Sequence, residues 1–228
     1  MITFVSAFLD LSEDRSTLRS FDTYMNHFKK LAETGVNIHL FLNRACTWYT
    51  PFPNVHVEYI EITELSTYCT EARLPPVRTP EKDTLNFLII MNAKPEFVAR
   101  AIQSDIFSAS HYYWIDFGVF HVIKDTEAAQ KYLVDLSTRE LKNVLSIPGC
   151  CGKGEYDYFN RICWRFCGGV FAGDRASLLK FYEAVCSEYK NVPLTWEVNL
   201  WAYLEAHGKI SPEWSLADHN DSIIRVAL

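Results

Sequence analysis

The residues best suited to chemistry lie in YYWIDFG, Tyr112 to Gly118. An apolar, aromatic run delivers one acid, Asp116, to its end, and Gly118 then lets the backbone turn. In open α/β sheets, ligands collect at the carboxyl ends of the strands. A carboxylate there can hold a divalent metal against a diphosphate or accept hydrogen bonds from a ribose. An Asp in that place also suits capping of the next turn, and spacing alone leaves both readings open.

Other chemistries fit the sequence less well. The segment GCCGKGE, Gly149 to Glu155, has three glycines and a lysine. No Ser or Thr follows its Gly-Lys, so it is not a phosphate-binding P-loop. No GxGxxG follows the first apolar run, and no GxSxG elbow is present. Cys150-Cys151 and Cys163-x3-Cys167 match no standard zinc spacing. Nothing flanking any cysteine supports nucleophilic catalysis.

Positioning Asp116 requires a sheet. Residues 2–9 read as a buried first strand that ends near Asp10. LSEDRS follows as a polar loop. Leu18, Phe21, Met25, Phe28 and Ala32 then recur at helical spacing, with Ser16 as cap and Gly35 past the end. Val36 to Leu42 and Val55 to Ile62 alternate as strands, separated by the turn-like TPFPN. Strand, helix, strand, strand opens an α/β sheet. Thr63 to Arg78, ending in LPPVR, reads as a long loop, a kind of segment that is often functional. Thr79-Pro80 starts a helix through Ala93, and a second helix follows Pro95. Residues 111–116 form the next strand. A polar helix or loop after Thr126 and strands over Leu141–Ile147 and Cys163–Ala172 complete the middle of the chain. Asp174 caps a helix carrying Leu178 and Tyr182, and Thr195 caps another through His207. A short final strand follows the polar cluster Ala217 to Asp221.

Composition narrows the class. The chain has 228 residues, 49% hydrophobic and 14% aromatic, which suits one packed domain over 1–228 rather than a disordered chain. Its net charge of −6 argues against a nucleic-acid partner, which needs clustered Lys and Arg. Seven cysteines, an odd number, suit reduced thiols. The N-terminal apolar run lacks a basic leader, and no apolar run is long enough to span a membrane. The expected location is cytoplasmic; the oligomeric state is open.

Five segments carry a family resemblance: FVSAFLDL, KDTLNFLIIMNAKPEFVARAI, YYWIDFG, RFCGGVFAGDRASL and TWEVNLWAYL. With them the chain resembles the HtrL/YibB-type family and, more broadly, GT-A fold glycosyltransferases. The resemblance implies an α/β, single-domain GT-A fold, Rossmann-like, with a mixed central sheet flanked by helices. It implies a nucleoside diphosphate-sugar donor, by default UDP-linked, and a glycan or other hydroxyl acceptor. Ser6, Ala7, Phe8 and Asp10 would lie against the base and ribose. Asp116, Phe117 and Gly118 would sit at the diphosphate and ribose, and Gly168 and Gly169 along the donor sugar, unless that pair marks a bulge or tight packing point.

The family-wide acidic motif has two acids, whereas here the third position is Gly118. A second ligand for Mn²⁺ or Mg²⁺ must come from elsewhere, and His219 in ADHND fits a late histidine. Without metal, Lys82 or Lys94 would face the diphosphate. Transfer also needs a base for the acceptor hydroxyl; Glu197 is the candidate, although a carboxylate at a helix start also answers the helix dipole. Trp196, Trp201 and Trp214 are either sugar platforms or core. A catalytically weak nucleotide- or glycan-binding protein on the same fold is the alternative.

Overall fold

The computed structural model describes residues 1–11, 20–46, 52–69 and 72–226. They form a mixed sheet with helices on both faces. Strands β1 (Ile2–Phe8), β2 (Ile38–Leu42), β3 (Val55–Tyr59), β4 (His111–Ile115), β5 (Ser146–Gly149), β6 (Val170–Asp174) and β7 (Glu213–Leu216) stand in the order β3-β2-β1-β4-β6-β5-β7. The first four are mutually parallel. β6 runs antiparallel to β4 and β5, and β7 runs parallel to β5. This is the α/β class with a mixed central sheet expected from the sequence.

Both faces of the parallel half are covered, so its strands read as continuous apolar runs. On one face Val5, Phe41, Tyr112, Trp114 and Phe171 pack against α2 (Leu85–Asn92), α3 (Lys94–Ser104), α5 (Arg175–Tyr189) and α6 (Glu197–Ala206). On the other, Phe4, Leu40, Tyr113 and Ile115 pack against α1 (Phe21–Ala32) and α4 (Thr126–Ser137). Alternation along each strand assigns neighbours to opposite cores.

Local signals set the helix starts. Asp174 caps α5 as expected, accepting from the N–H groups of Ala176 and Ser177. Thr84 caps α2 through Phe87 N–H, so that helix begins at Leu85 rather than at Thr79-Pro80. The earlier residues form a turn in which Asp83 Oδ2 accepts from Thr79 N–H. Ser20 caps α1; Ser16, Leu18, most of LSEDRS and the first two residues of TPFPN fall outside the described residues. Thr195 does not cap α6: its hydroxyl donates to Tyr158 O instead.

Three strand expectations are corrected. The stretch before β6 is not extended from Cys163, because Cys167 N–H bonds Pro148 O and the chain bends through Gly168-Gly169. β5 starts at Ser146, not Leu141. The last strand, β7, precedes the Ala217–Asp221 cluster; the residues after it, through Val226, are turns, bends and irregular backbone.

Candidate functional site

Chain direction decides where a cleft opens. From β1 the chain moves to β2 and β3 on one side; from β4 it moves to the β6 side. The carboxyl ends of β1 and β4 therefore flank a switch point, where open α/β sheets hold ligands. A cleft of about 1190 Å³ opens there. That is roomy beside the ~300–1,000 Å³ of ordinary small-molecule pockets.

The exit of β1 supplies Ala7, Phe8 and Asp10 to the cleft lining. Ser6 is not in it: the side chain is buried within β1 and its hydroxyl has no hydrogen-bond partner among the described residues. Phe8 leads an aromatic nest, with ring centroids 4.9 Å from Phe117 and 5.6 Å from Tyr24. Gly118 belongs to the same nest, since a Cβ there would come 3.0 Å from the Tyr24 ring.

The exit of β4 presents Asp116, Phe117 and Gly118 to the cleft. Asp116 N–H bonds Gly169 O, which ties the acid to the double glycine across the β4–β6 pair. Lys94, at the start of α3, reaches this point from beneath. Its ammonium lies 2.9 Å from Asp116 Oδ1, 2.9 Å from Glu197 Oε1 and 2.9 Å from Gly168 O. Trp114 Nε1 also donates to Asp116 Oδ1, at 2.8 Å. Gly168 is required by this packing: a Cβ there would lie 2.2 Å from Glu197 Oε1. Gly169 is also tight, its Cβ position being 3.1 Å from Ile223 Cδ1.

Three residues singled out separately in the sequence thus form one cluster. The Lys94 side chain is 1% exposed, Glu197 10% and Asp116 35%. Burial pushes the Asp116 carboxyl above the ordinary carboxylate range; Lys94 opposes that and Glu197 adds to it. Burial alone would lower the Lys94 ammonium, but the two carboxylates outweigh it and hold it above the ordinary lysine value. One ammonium between two carboxylates leaves the ionised cluster one negative charge in excess.

His219 also lines the cleft, with its ring 5.4 Å from that of His121. Among the described residues, no group of three or more His, Cys, Asp or Glu side chains is arranged to hold a metal ion. Both oxygens of Asp116 lie within hydrogen-bond reach of Lys94. With one acid, both of its oxygens already accepting from Lys94, and no second ligand grouped with it among the described residues, this donor set fits a divalent ion poorly.

Trp196 lines the cleft, while Trp201 is in the core beside Phe171 and Phe181. Trp214 packs under the Arg165 guanidinium, 4.9 Å away. Sequence reasoning missed Arg78 and Trp164, which both line the cleft. Trp164 is 48% exposed, although its carbonyl is fixed by the N–H groups of Cys150 and Cys151. Reading Cys163–Ala172 as a strand hid it. Arg78 ends the LPPVR loop, whose two prolines were its signal. All seven cysteines are free thiols.

Fold and cleft define an α/β protein with a roomy cleft at a strand switch point. The profile of the family described as "Bacterial protein of unknown function (HtrL_YibB)" matches residues 54–198, more than half of the chain. The chain belongs to that family. No curated protein matches it by sequence. Among solved structures it is similar to a glycosyltransferase involved in glycosylation of the major capsid of PBCV-1, with 15% identity, TM-score 0.49, and coverage of 95% of this chain and 81% of that one. It is also similar to 4-diphosphocytidyl-2C-methyl-D-erythritol synthase from Anaerococcus prevotii, with 8% identity, TM-score 0.48 and coverage of 98% and 91%. A third is mouse xyloside xylosyltransferase 1 in its apo form, with 8% identity, TM-score 0.45 and coverage of 94% and 84%. Among the described residues, no helix is long and apolar enough to cross a membrane.

Proposed function

We propose that this protein is a GT-A-like glycosyltransferase that transfers a sugar from a nucleoside diphosphate-sugar, UDP-linked by default, to a hydroxyl of a glycan acceptor. The observation that supports this best is the buried Lys94–Asp116–Glu197 cluster at the floor of the switch-point cleft. The aromatic nest of Phe8, Tyr24 and Phe117 offers ring faces to a base. The exposed Trp164 ring offers an apolar plane to an acceptor sugar.

In this reading the sugar–phosphate bond breaks with positive charge at the anomeric carbon, beside a cluster with excess negative charge. Asp116 takes the acceptor proton. It is the more open of the two carboxylates, and burial raises it toward the range a general base needs. Glu197 holds Lys94 and so fixes Asp116. This shifts the proton-accepting role from Glu197, the choice that position in the sequence suggested.

The test is sugar release from a panel of nucleotide-sugars. Asp116→Asn is expected to keep nucleotide binding and lose at least about a hundredfold in turnover, the usual scale of general-base removal. Unchanged turnover refutes the assignment. The binding-protein alternative is favoured by one observation: the ion pairs of Lys94 all close within the protein. Nucleotide binding with no sugar released by the parent protein selects that alternative.

A further inference from the structure

A diphosphate brings negative charge into a cleft that already has an excess of it at its floor. Lys94 cannot offset that charge. Its three N–H bonds are directed at Asp116, Glu197 and the Gly168 carbonyl. Asp10 and Asp218 add further acids to the lining. Cations for the phosphates must come from elsewhere in the lining, where Arg161 is one and the segment before α2 holds others.

The end of the LPPVR loop and the turn that leads from it to α2 carry two, Arg78 and Lys82, and both line the cleft. Neither has an ion-pair partner among the described residues. Arg78 Nε is buried with no hydrogen-bond partner among the described residues. A desolvated guanidinium N–H without an acceptor is unfavourable, and a phosphate oxygen would satisfy it. The turn is also set in advance. Thr79 O accepts from the N–H groups of Lys82 and Asp83, and the buried Asp83 accepts from Thr79 N–H. Thr84 then starts α2. Lys82 sits on this braced turn, and Arg78 directly precedes its first residue, Thr79.

We propose that Arg78 and Lys82 bind the phosphates of the donor directly, in place of a divalent metal at Asp116. This rests on the nucleotide-sugar reading above. Arg78 supplies a planar fork for two phosphate oxygens, and Lys82 supplies a mobile point charge.

The test is calorimetry in EDTA with UDP, GDP, CDP, ADP and inorganic pyrophosphate, against the matching nucleosides. A nucleoside diphosphate is expected to bind without metal. Arg78→Gln and Lys82→Gln should each weaken it about tenfold, the scale of one charge-assisted contact, while nucleoside binding stays unchanged. Arg78→Lys, which keeps the charge and loses the fork, should fall between. Unliganded melting temperatures of the variants check that the fold is retained. Diphosphate binding within twofold of the parent in both Gln variants overturns the inference alone, as does binding that appears only with Mn²⁺. If none of the diphosphates nor pyrophosphate binds under either condition, the nucleotide-sugar reading falls with it.

Discussion

Replacing Lys94 by Met removes one charge and nearly preserves side-chain volume. It leaves Asp116 and Glu197 facing each other without a cation. Their closest oxygens each lie 2.9 Å from the same nitrogen, so they are at most twice that distance apart. At an effective dielectric constant of about 20, two like charges at that separation repel by about 3 kcal/mol. Loss of the carbonyl contact to Gly168 adds about 1 kcal/mol. The sum falls in the ~3–5 kcal/mol range of breaking a buried ion pair by removing one partner. For a chain of this size it corresponds to a fall in melting temperature of roughly 6–20 °C. The loss has a pH signature. Burial already raises the Asp116 carboxyl, and a proton there can replace the ammonium, so the deficit should shrink as pH falls from 7 to 5. Lys94→Met/Glu197→Gln should recover at least half of it at pH 7. Urea unfolding of the parent and both variants at the two pH values measures this. A loss under about 1 kcal/mol, or a pH-independent loss that Glu197→Gln leaves in place, refutes the view that the ammonium neutralises a desolvated carboxylate pair.

Gly168→Ala forces the Glu197 carboxylate away from Lys94 and should lower stability by about 1–3 kcal/mol in urea; an unchanged midpoint contradicts the close packing. His39 is buried, and burial with His56 nearby lowers it from 6.5 to about 4. Above pH 6.5 both folded and unfolded chains hold it neutral; between 6.5 and about 4 only the unfolded chain gains the proton. Stability should therefore fall across that window, by at most about 3 kcal/mol, since Glu58 at 3.0 Å works the other way. A His39→Gln variant with the same pH slope as the parent removes this cause. Titration with Mn²⁺ should give no saturable one-to-one heat; such heat, reduced in His219→Ala, would restore His219 as a ligand.

The parallel half of the sheet was legible because both its faces are buried. Runs such as Tyr112–Ile115 then carry no polar interruption, and an acid at the end stands out. Asp174 was legible because capping is local. Lys94 was legible only as a candidate. Its burial depends on carboxylates 22 and 103 residues away, and short-range pattern holds nothing of that. The burial of Ser6 away from the cleft lining was hidden for a related reason: alternation shows that neighbours face opposite ways, but not which of them meets the cleft. Arg78 and Trp164 lie in irregular segments, where periodicity gives no direction to a side chain.

The Lys94 cluster also bears on the order of folding events. Its ammonium joins chain positions 22, 74 and 103 residues distant. Closing such loops is slow and entropically unfavourable until the surrounding sheet exists. The cluster should therefore form after the transition state, as a latch on an assembled sheet. Interactions absent from the transition state act mainly on the unfolding rate. A ligand seated on this latch would lengthen the life of the folded protein more than it would hasten its formation.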